Sequence, residues 1–253
     1  MKKYKKIFIS DIHLSSKDPK TLTRFRNFCE NYGKYTEKLY ILGDLFEYWI
    51  GDNCAEKWHH DIANILNTLN TYNTQVYFMA GNRDFLLSKK FAKLANIKIL
   101  KDPYIININN TKVILSHGDK FCTNDTSYQI YRTIAQNIIT RKILNLTPKV
   151  IKIKLVNILK RKDSHNLSNT SPKQKINLAK YDTNKQSIAK DMQKYKSLTV
   201  IHGHTHKPKI HSDLIKVNNK YKYAKRYVLG DWQANKAVII IQEKNSLVLT
   251  NIS

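Results

Sequence analysis

The first hundred residues alternate short apolar runs with longer stretches of helical period. Residues 6–10, 39–42 and 75–79 are brief runs rich in Ile, Leu, Tyr and Phe, the signature of buried strands. Between them, residues 19–32 place Leu22, Phe25 and Phe28 on one helical face. Residues 57–69 do the same with Ile62, Ile65, Leu66 and Leu69. Strands alternating with helices predict a mostly parallel, buried sheet. Runs at 104–108 and 112–116 flank Asn109-Asn110, a hairpin turn. Beyond residue 197 the chain is β-rich, with runs at 198–201, 221–229, 237–242 and 247–250, the last three expected to be antiparallel. The pattern predicts an α/β (α+β) fold: two packed sheets with helices outside, a four-layer αββα sandwich spanning 1–253.

Residues 126–195 interrupt this order, and the helical period dominates there. One helix is expected over 127–145, with Ile130, Ile134 and Ile138 four residues apart. Thr147-Pro148 then supplies an N-cap and a first-turn proline. A second helix is expected to about residue 160, with Ile151, Leu155, Ile158 and Leu159 on one stripe. From Tyr128 to Lys162 there are nine Lys/Arg and no Asp/Glu. Apolar stripes beside a wholly basic face read as a lid or membrane-surface helix pair inserted in the domain. An ordinary amphipathic pair packed on the core is the plain alternative.

Composition narrows the setting. No apolar run approaches the roughly 20 residues of a membrane-spanning helix, and the charged start Met1–Lys6 lacks a signal peptide's apolar stretch. A cytosolic protein, with membrane association left open, is expected. Three cysteines without CxxC spacing argue against a disulfide framework. Cys29 and Cys54 read as packing residues. The formal net charge of +25, 44 Lys+Arg against 19 Asp+Glu, invites a polyanionic partner. However, abundant Lys, Asn, Ile and Tyr are also what an A+T-rich genome produces. The basic insertion is better evidence of a partner than the total.

Five polar motifs follow the apolar runs: Asp11-Ile12-His13, Gly43-Asp44, Gly81-Asn82-Arg83-Asp84, Ser116-His117-Gly118-Asp119 and Gly203-His204-Thr205-His206. In parallel sheets, ligands collect at the carboxyl ends of strands, where these motifs sit. Spacing by two on an extended chain points Asp11 and His13 to one side. Asp44 can bridge two cations, Asn82 offers a neutral oxygen, and His117, His204 and His206 offer nitrogens. Such O/N donors without thiolate suit Mn²⁺, Fe²⁺, Co²⁺ or Zn²⁺. Buried carboxylates and imidazoles without a metal would be costly. Two metals at one site imply hydrolysis, most often of a phosphate ester. His59 and His60 have no partner motif and are read as solvated, and His202 as structural.

The ordered set resembles the calcineurin-like metallophosphoesterase superfamily. The resemblance covers the chain outside the insertion. It implies that Asp11, His13, Asp44 and His206 hold one metal and that Asp44, Asn82, His117 and His204 hold the other. Further stretches narrow it: Asp44-Leu45-Phe46-Glu47-Tyr48-Trp49-Ile50-Gly51-Asp52, Arg83 where many relatives carry His, His117-Gly118-Asp119-Lys120-Phe121-Cys122-Thr123-Asn124-Asp125, and Leu229-Gly230-Asp231-Trp232. These are similar to the UDP-2,3-diacylglucosamine pyrophosphatase family of lipid A biosynthesis. That resemblance implies two Mn²⁺ ions and attack of metal-held hydroxide on the α-phosphorus, giving UMP and 2,3-diacylglucosamine 1-phosphate. It implies a catalytic set of Asp44, Asn82 and His117. The substrate would be held by Asn82, Arg83, Asp125 and His204, with Ser168, Asn169, Lys173 and Lys175 from the insertion.

Arg83 can bind phosphate bidentately; pairing with Asp84 is its plain alternative. Asp125 can cap the next helix as well as touch a sugar. Cys122 reads as a packing residue, since metals supply the nucleophile. Other readings are a nucleic-acid phosphodiesterase and a non-catalytic lipid-surface protein. No aromatic-rich basic track for stacking single strands stands out, and no nucleic-acid partner is expected.

Overall fold

The computed structural model describes residues 4–154, 182–217, 220–233 and 235–252. Among them, strands form two sheets. The first has the order β11-β10-β1-β2-β3-β4, from β1 (Tyr4–Ile9), β2 (Thr36–Leu42), β3 (Gln75–Met79), β4 (Ile97–Leu100), β10 (Ala237–Glu243) and β11 (Ser246–Ile252). Strands β1 to β4 are parallel, and β10 and β11 close one edge in antiparallel fashion. The second sheet has the order β5-β6-β7-β9-β8, from β5 (Tyr104–Ile108), β6 (Thr111–Leu115), β7 (Thr199–His202), β8 (Lys209–Val217) and β9 (Lys220–Val228).

The period-two pattern of β1 to β3 explains the layering. Ile7, Ile9, Leu39, Ile41, Val76 and Phe78 point outward. There they pack on α1 (Pro19–Asn31) through Phe25 and Phe28, and on α2 (Lys57–Thr71) through Ile62 and Leu66. The alternate residues Phe8, Tyr40, Leu42 and Met79 point inward against Ile106, Val113, Leu115, Ile201 and Tyr227 of the second sheet. Beyond the second sheet, α6 (Lys185–Tyr195) sets Ile188 and Met192 against Ile114 and Val200. The result is the expected αββα sandwich. Asn109 and Asn110 take φ of 47° and 61° at the β5–β6 turn, the left-handed pair of a two-residue hairpin.

Several expectations are corrected. The single helix over 127–145 is two: α4 (Thr126–Gln136) and α5 (Ile138–Leu146). Asn137 breaks it by turning extended (ψ 136°) and accepting the Ile139 N–H at 2.8 Å. An amide that can cap competes with the helix it interrupts. A helical run over 149–154 follows Pro148; the rest of the expected second helix lies outside the described residues. Strand β9 is antiparallel only to β8 and runs parallel to β7. The expectation also lacked β8, β4 and the short α3 (Lys89–Leu94), whose runs are too polar or too brief to carry a period. No helix among the described residues is long and apolar enough to cross a membrane.

His59 is not solvated. It is buried against Phe46, Trp49 and Trp58, and its Nδ1 accepts the Glu56 N–H at 2.9 Å, closing a capping box on α2. Burial lowers its pKa to about 4, so the ring stays neutral and can accept. His60, one residue on, is exposed. In urea unfolding, His59→Ala is therefore expected to lose about 1–3 kcal/mol through the cap and the packing, and His60→Ala to stay within about 0.5 kcal/mol. Equal losses would remove the structural role given to His59.

Candidate metal centre

The two sheets meet along one seam, and each delivers part of the site there. Asp11 and His13 follow β1, Asp44 follows β2 and Asn82 follows β3. His117 follows β6, while His204 and His206 follow β7. All seven predicted metal ligands converge. His13 Nε2 lies 3.3 Å from His206 Nε2, which lies 3.5 Å from Asp11 Oδ1. His117 Nε2 is 3.7 Å from Asp44 Oδ2 and 3.0 Å from Asn82 Oδ1. His204 Nδ1 is 3.1 Å from the same Asn82 oxygen. Asp11, His13 and His206 form one cluster, and Asp11, Asp44 and His117 another.

The route to this convergence differs from the expected one. Strand β1 ends at Ile9, and Asp11 and His13 are not extended; both take left-handed φ, 54° and 53°. Asp44, His204 and His206 do so too, at 53°, 69° and 54°. Such non-glycine residues each carry strain of about 1–3 kcal/mol and persist only where the surroundings over-determine them. Here the loops hold one another: Asp11 N–H and His13 N–H donate to the carbonyls of Gly43 and Asp44, and the His204 N–H donates to Asp11 Oδ2 at 2.9 Å. Close approach also requires glycine: a side chain at Gly81 would run into the Asp44 carboxylate, and one at Gly43 into the His117 ring.

Burial sets the charges. Asp44 is buried, which pushes its carboxyl up to about 7 against the pull of His117. Burial also raises Asp11, but the hydrogen bond from His206 and the charges of His117 and His206 outweigh it and hold Asp11 below the usual range. His13 and His204 are lowered by burial to about 3 and about 4, leaving neutral rings with free lone pairs. His117 Nδ1 sits 2.9 Å from the Leu42 carbonyl, to which it donates, so its Nε2 points at the oxygens of Asn82 and Asp44. Burial disfavours charge on this ring, but Asp44 and Asp11 raise its pKa to about 9, and a bound cation would take the place of the Nε2 proton. Imidazole nitrogens and carboxylate and amide oxygens aimed at one point are the donors that a divalent cation takes. The donor set therefore fits divalent metal.

Sequence reasoning missed Asp84, which is fully buried under Asp44. Its Oδ2 accepts the Leu45 N–H at 2.7 Å, and its Oδ1 accepts the N–H groups of Gly81 at 2.8 Å and Asp44 at 3.3 Å. The fourth place of the Gly81–Asp84 motif was the only signal. The Arg83–Asp84 pair does not form. Arg83 Nη1 instead donates to the Tyr48 hydroxyl at 2.8 Å and lies 3.4 Å from Glu47, and its guanidinium lies over the Tyr48 ring. Asp125 accepts the Tyr128 N–H at 3.1 Å and caps α4. Cys122 is buried and its thiol pushed up to about 12, so it is no nucleophile. Ser168, Asn169, Lys173 and Lys175 lie outside the described residues.

An apolar cavity of about 310 Å³ opens beside Asn82 and Arg83. Trp49, Phe85 and Leu86 form its wall. Tyr131, Ile134 and Ala135 of α4 and Leu144 of α5 cover it.

A family model described as calcineurin-like phosphoesterase matches residues 4–208. A protein of Wigglesworthia glossinidia brevipalpis named UDP-2,3-diacylglucosamine hydrolase is 37% identical over 246 residues, 96% of this chain and 92% of its own. Its namesake in Ectopseudomonas mendocina is 37% identical over 89% of both chains, and that of Yersinia pestis bv. Antiqua is 32% identical over 96% and 98%. The chain belongs to the UDP-2,3-diacylglucosamine hydrolase family of calcineurin-like phosphoesterases. Membership in this hydrolase family accounts for a donor set fit for divalent metal.

Asp84 shapes that set without joining it. In Asp84→Asn, whichever way the amide turns, an N–H now faces a backbone N–H. The expected cost is about 1–3 kcal/mol in urea unfolding and about 10–100-fold in Mn²⁺ affinity by calorimetric titration. Wild-type affinity in the variant would show that Asp84 does not position Asp44.

Proposed function

We propose that the protein hydrolyses the diphosphate of UDP-2,3-diacylglucosamine at the α-phosphorus. The products are UMP and 2,3-diacylglucosamine 1-phosphate, and the site takes two Mn²⁺ ions. The observation that carries this reading is the juxtaposition of the metal-ligand cluster with an apolar cavity, Arg83 standing at their junction. A small phosphate ester needs no such cavity, whereas a diphosphate carrying acyl chains needs both.

Asp11, His13, Asp44 and His206 would hold one ion, and Asp44, Asn82, His117 and His204 the other. When bound, the ions would lower the pKa of water and neutralise charge on the phosphoryl oxygens. The chain supplies orientation. The Leu42 carbonyl fixes which His117 nitrogen points inward. Arg83, already aligned by Tyr48 and Glu47, offers its guanidinium to a phosphate. Asp125 caps α4 and can still accept from a sugar. Ser168, Asn169, Lys173 and Lys175 complete the substrate contacts in this reading. Within the inserted residues 126–195, α4 and α5 act as a lid that covers the acyl chains, while α6 belongs to the sandwich.

The same helices serve as the contact with the anionic cytoplasmic face of the inner membrane. Ile139 and Leu146 are 68% and 86% exposed, with Arg141, Lys142 and Lys149 interspersed. Apolar side chains among cations are what an anionic lipid surface holds.

Incubation with UDP-2,3-diacylglucosamine and Mn²⁺ is expected to release UMP, and Asn82→Ala to lower the rate by about 100-fold or more, as loss of a group acting in the transition state does. Release of UDP would place the attack at the wrong bond. Equal turnover of single-stranded nucleic acid would move the protein to another substrate class.

A further inference from the structure

Helix α4 presents two unlike inner stripes. Tyr131, Ile134 and Ala135 line the apolar cavity. Tyr128, Gln129 and Arg132, spaced by one helical turn, grip the turn Asp119–Phe121 instead. The Tyr128 hydroxyl donates to Asp119 Oδ2 at 2.9 Å, and Arg132 Nε donates to the same oxygen at 2.7 Å. The Gln129 amide donates to the Asp119 carbonyl at 2.9 Å. Asp119 is buried. Arg132 also reaches a second carboxylate: its Nη2 lies 4.0 Å from Asp102 Oδ2, which accepts the His117 N–H at 3.2 Å.

Arg132 thus bridges two carboxylates that frame His117, Asp119 buried and Asp102 half-buried. One lies two residues further along the chain, and the other binds the His117 backbone itself. A buried pair of this kind adds little net stability but is strongly felt when one partner goes. Its use here is geometric, because an arginine fork holds direction as well as charge.

The other end of the cover is pinned by a different cation. Lys152, on the 149–154 run, is 3% exposed. Its Nζ donates to Asn53 Oδ1 at 2.8 Å and to the Asn145 carbonyl at 3.3 Å. The run is thereby tied both to the loop that follows Trp49 and to α5.

We infer that Asp119, Arg132 and Lys152 are positioning residues that set the cover of the apolar cavity in register with the metal ligands, and so set which substrates the site accepts. The inference rests on the proposed reading of the cavity as the acyl site. Misplacement by a fraction of a helical turn would close or open that cavity while leaving the metal ligands where they are.

The test uses the full chain with Arg132→Met, Arg132→Lys, Lys152→Met and the milder Tyr128→Phe. Hydrogen exchange by mass spectrometry over 126–136 is compared with that over α1 and α2. In Arg132→Met, exchange in α4 is expected to rise about tenfold or more with α1 and α2 unchanged, the mark of a local opening. KM for the acylated UDP-sugar is expected to rise about tenfold, while kcat for bis(4-nitrophenyl) phosphate stays within about twofold, a split that a lost binding geometry produces. Lys152→Met should show the same substrate split, and Arg132→Lys should recover part of the loss. Unchanged exchange in α4, or equal losses on both substrates, overturns the inference. If Arg132→Met does not fold, Tyr128→Phe must still show a smaller rise confined to α4, and no rise there overturns it too. Failure of the wild type on the acylated sugar would count against the proposed substrate alone, since the exchange comparison needs no substrate.

Discussion

Three carboxylates, Asp11, Asp44 and Asp84, are buried within one seam between the sheets. Much of the surrounding structure answers that constraint. Charge inside a protein must be paired, hydrogen-bonded or carried by a metal. Each carboxylate is satisfied differently. Asp84 receives three backbone N–H groups and turns the loops after β2 and β3 into one unit. Asp11 receives the Ser10 hydroxyl and the His204 N–H, tying β1 to β7. Asp44 receives the Arg83 N–H at 2.9 Å and faces His117, which leaves it the least neutralised of the three. That residual charge is where a divalent cation belongs.

Much of this was legible in the chain. The alternation around Phe8, Tyr40 and Phe78 gives both faces of the first sheet. The five motifs at strand ends, four of them with glycine, gave all seven candidate ligands. Other features were not legible, for identifiable reasons. Left-handed φ at Asp11 and His13 leaves no trace in residue type, because neither is glycine. Asp84 binds backbone, so its partners have no side-chain signature. The break at Asn137 was hidden because Ile130, Ile134 and Ile138 keep their spacing across it. The neutral role of His59 depends on Phe46 and Trp49 from the segment after β2, which only the fold brings against it. Strand β8 alternates Lys, Ile, His, Ser and Asp without a strong apolar face, as an edge strand with one solvated side does.

The helical segment after His117 obeys a different logic from the sandwich. Its outer side chains, Ile139, Ile143, Leu146 and Val150, are exposed rather than buried. Among the described residues, polar contacts at Asp119 and Asn53 hold it to the domain, together with Leu144, which packs against the main core. A surface of that kind is stable in water only as a compromise, and it is complete when something apolar covers it. In the proposed reading, the sandwich supplies rigid geometry, and the segment supplies affinity for a substrate with both a charged and a greasy end.

The closeness of His13 to His206, 193 residues apart in the chain, has a consequence in time rather than space. The first sheet needs β10 and β11 to close its edge, and the second needs β7 and β9, all from the last quarter of the chain. Until those strands are made and docked, Asp11 and His13 face no imidazole from the other half. Contacts of such long range form late. A ribosome-bound or truncated chain therefore lacks His204 and His206, and the full donor set appears together with the finished fold.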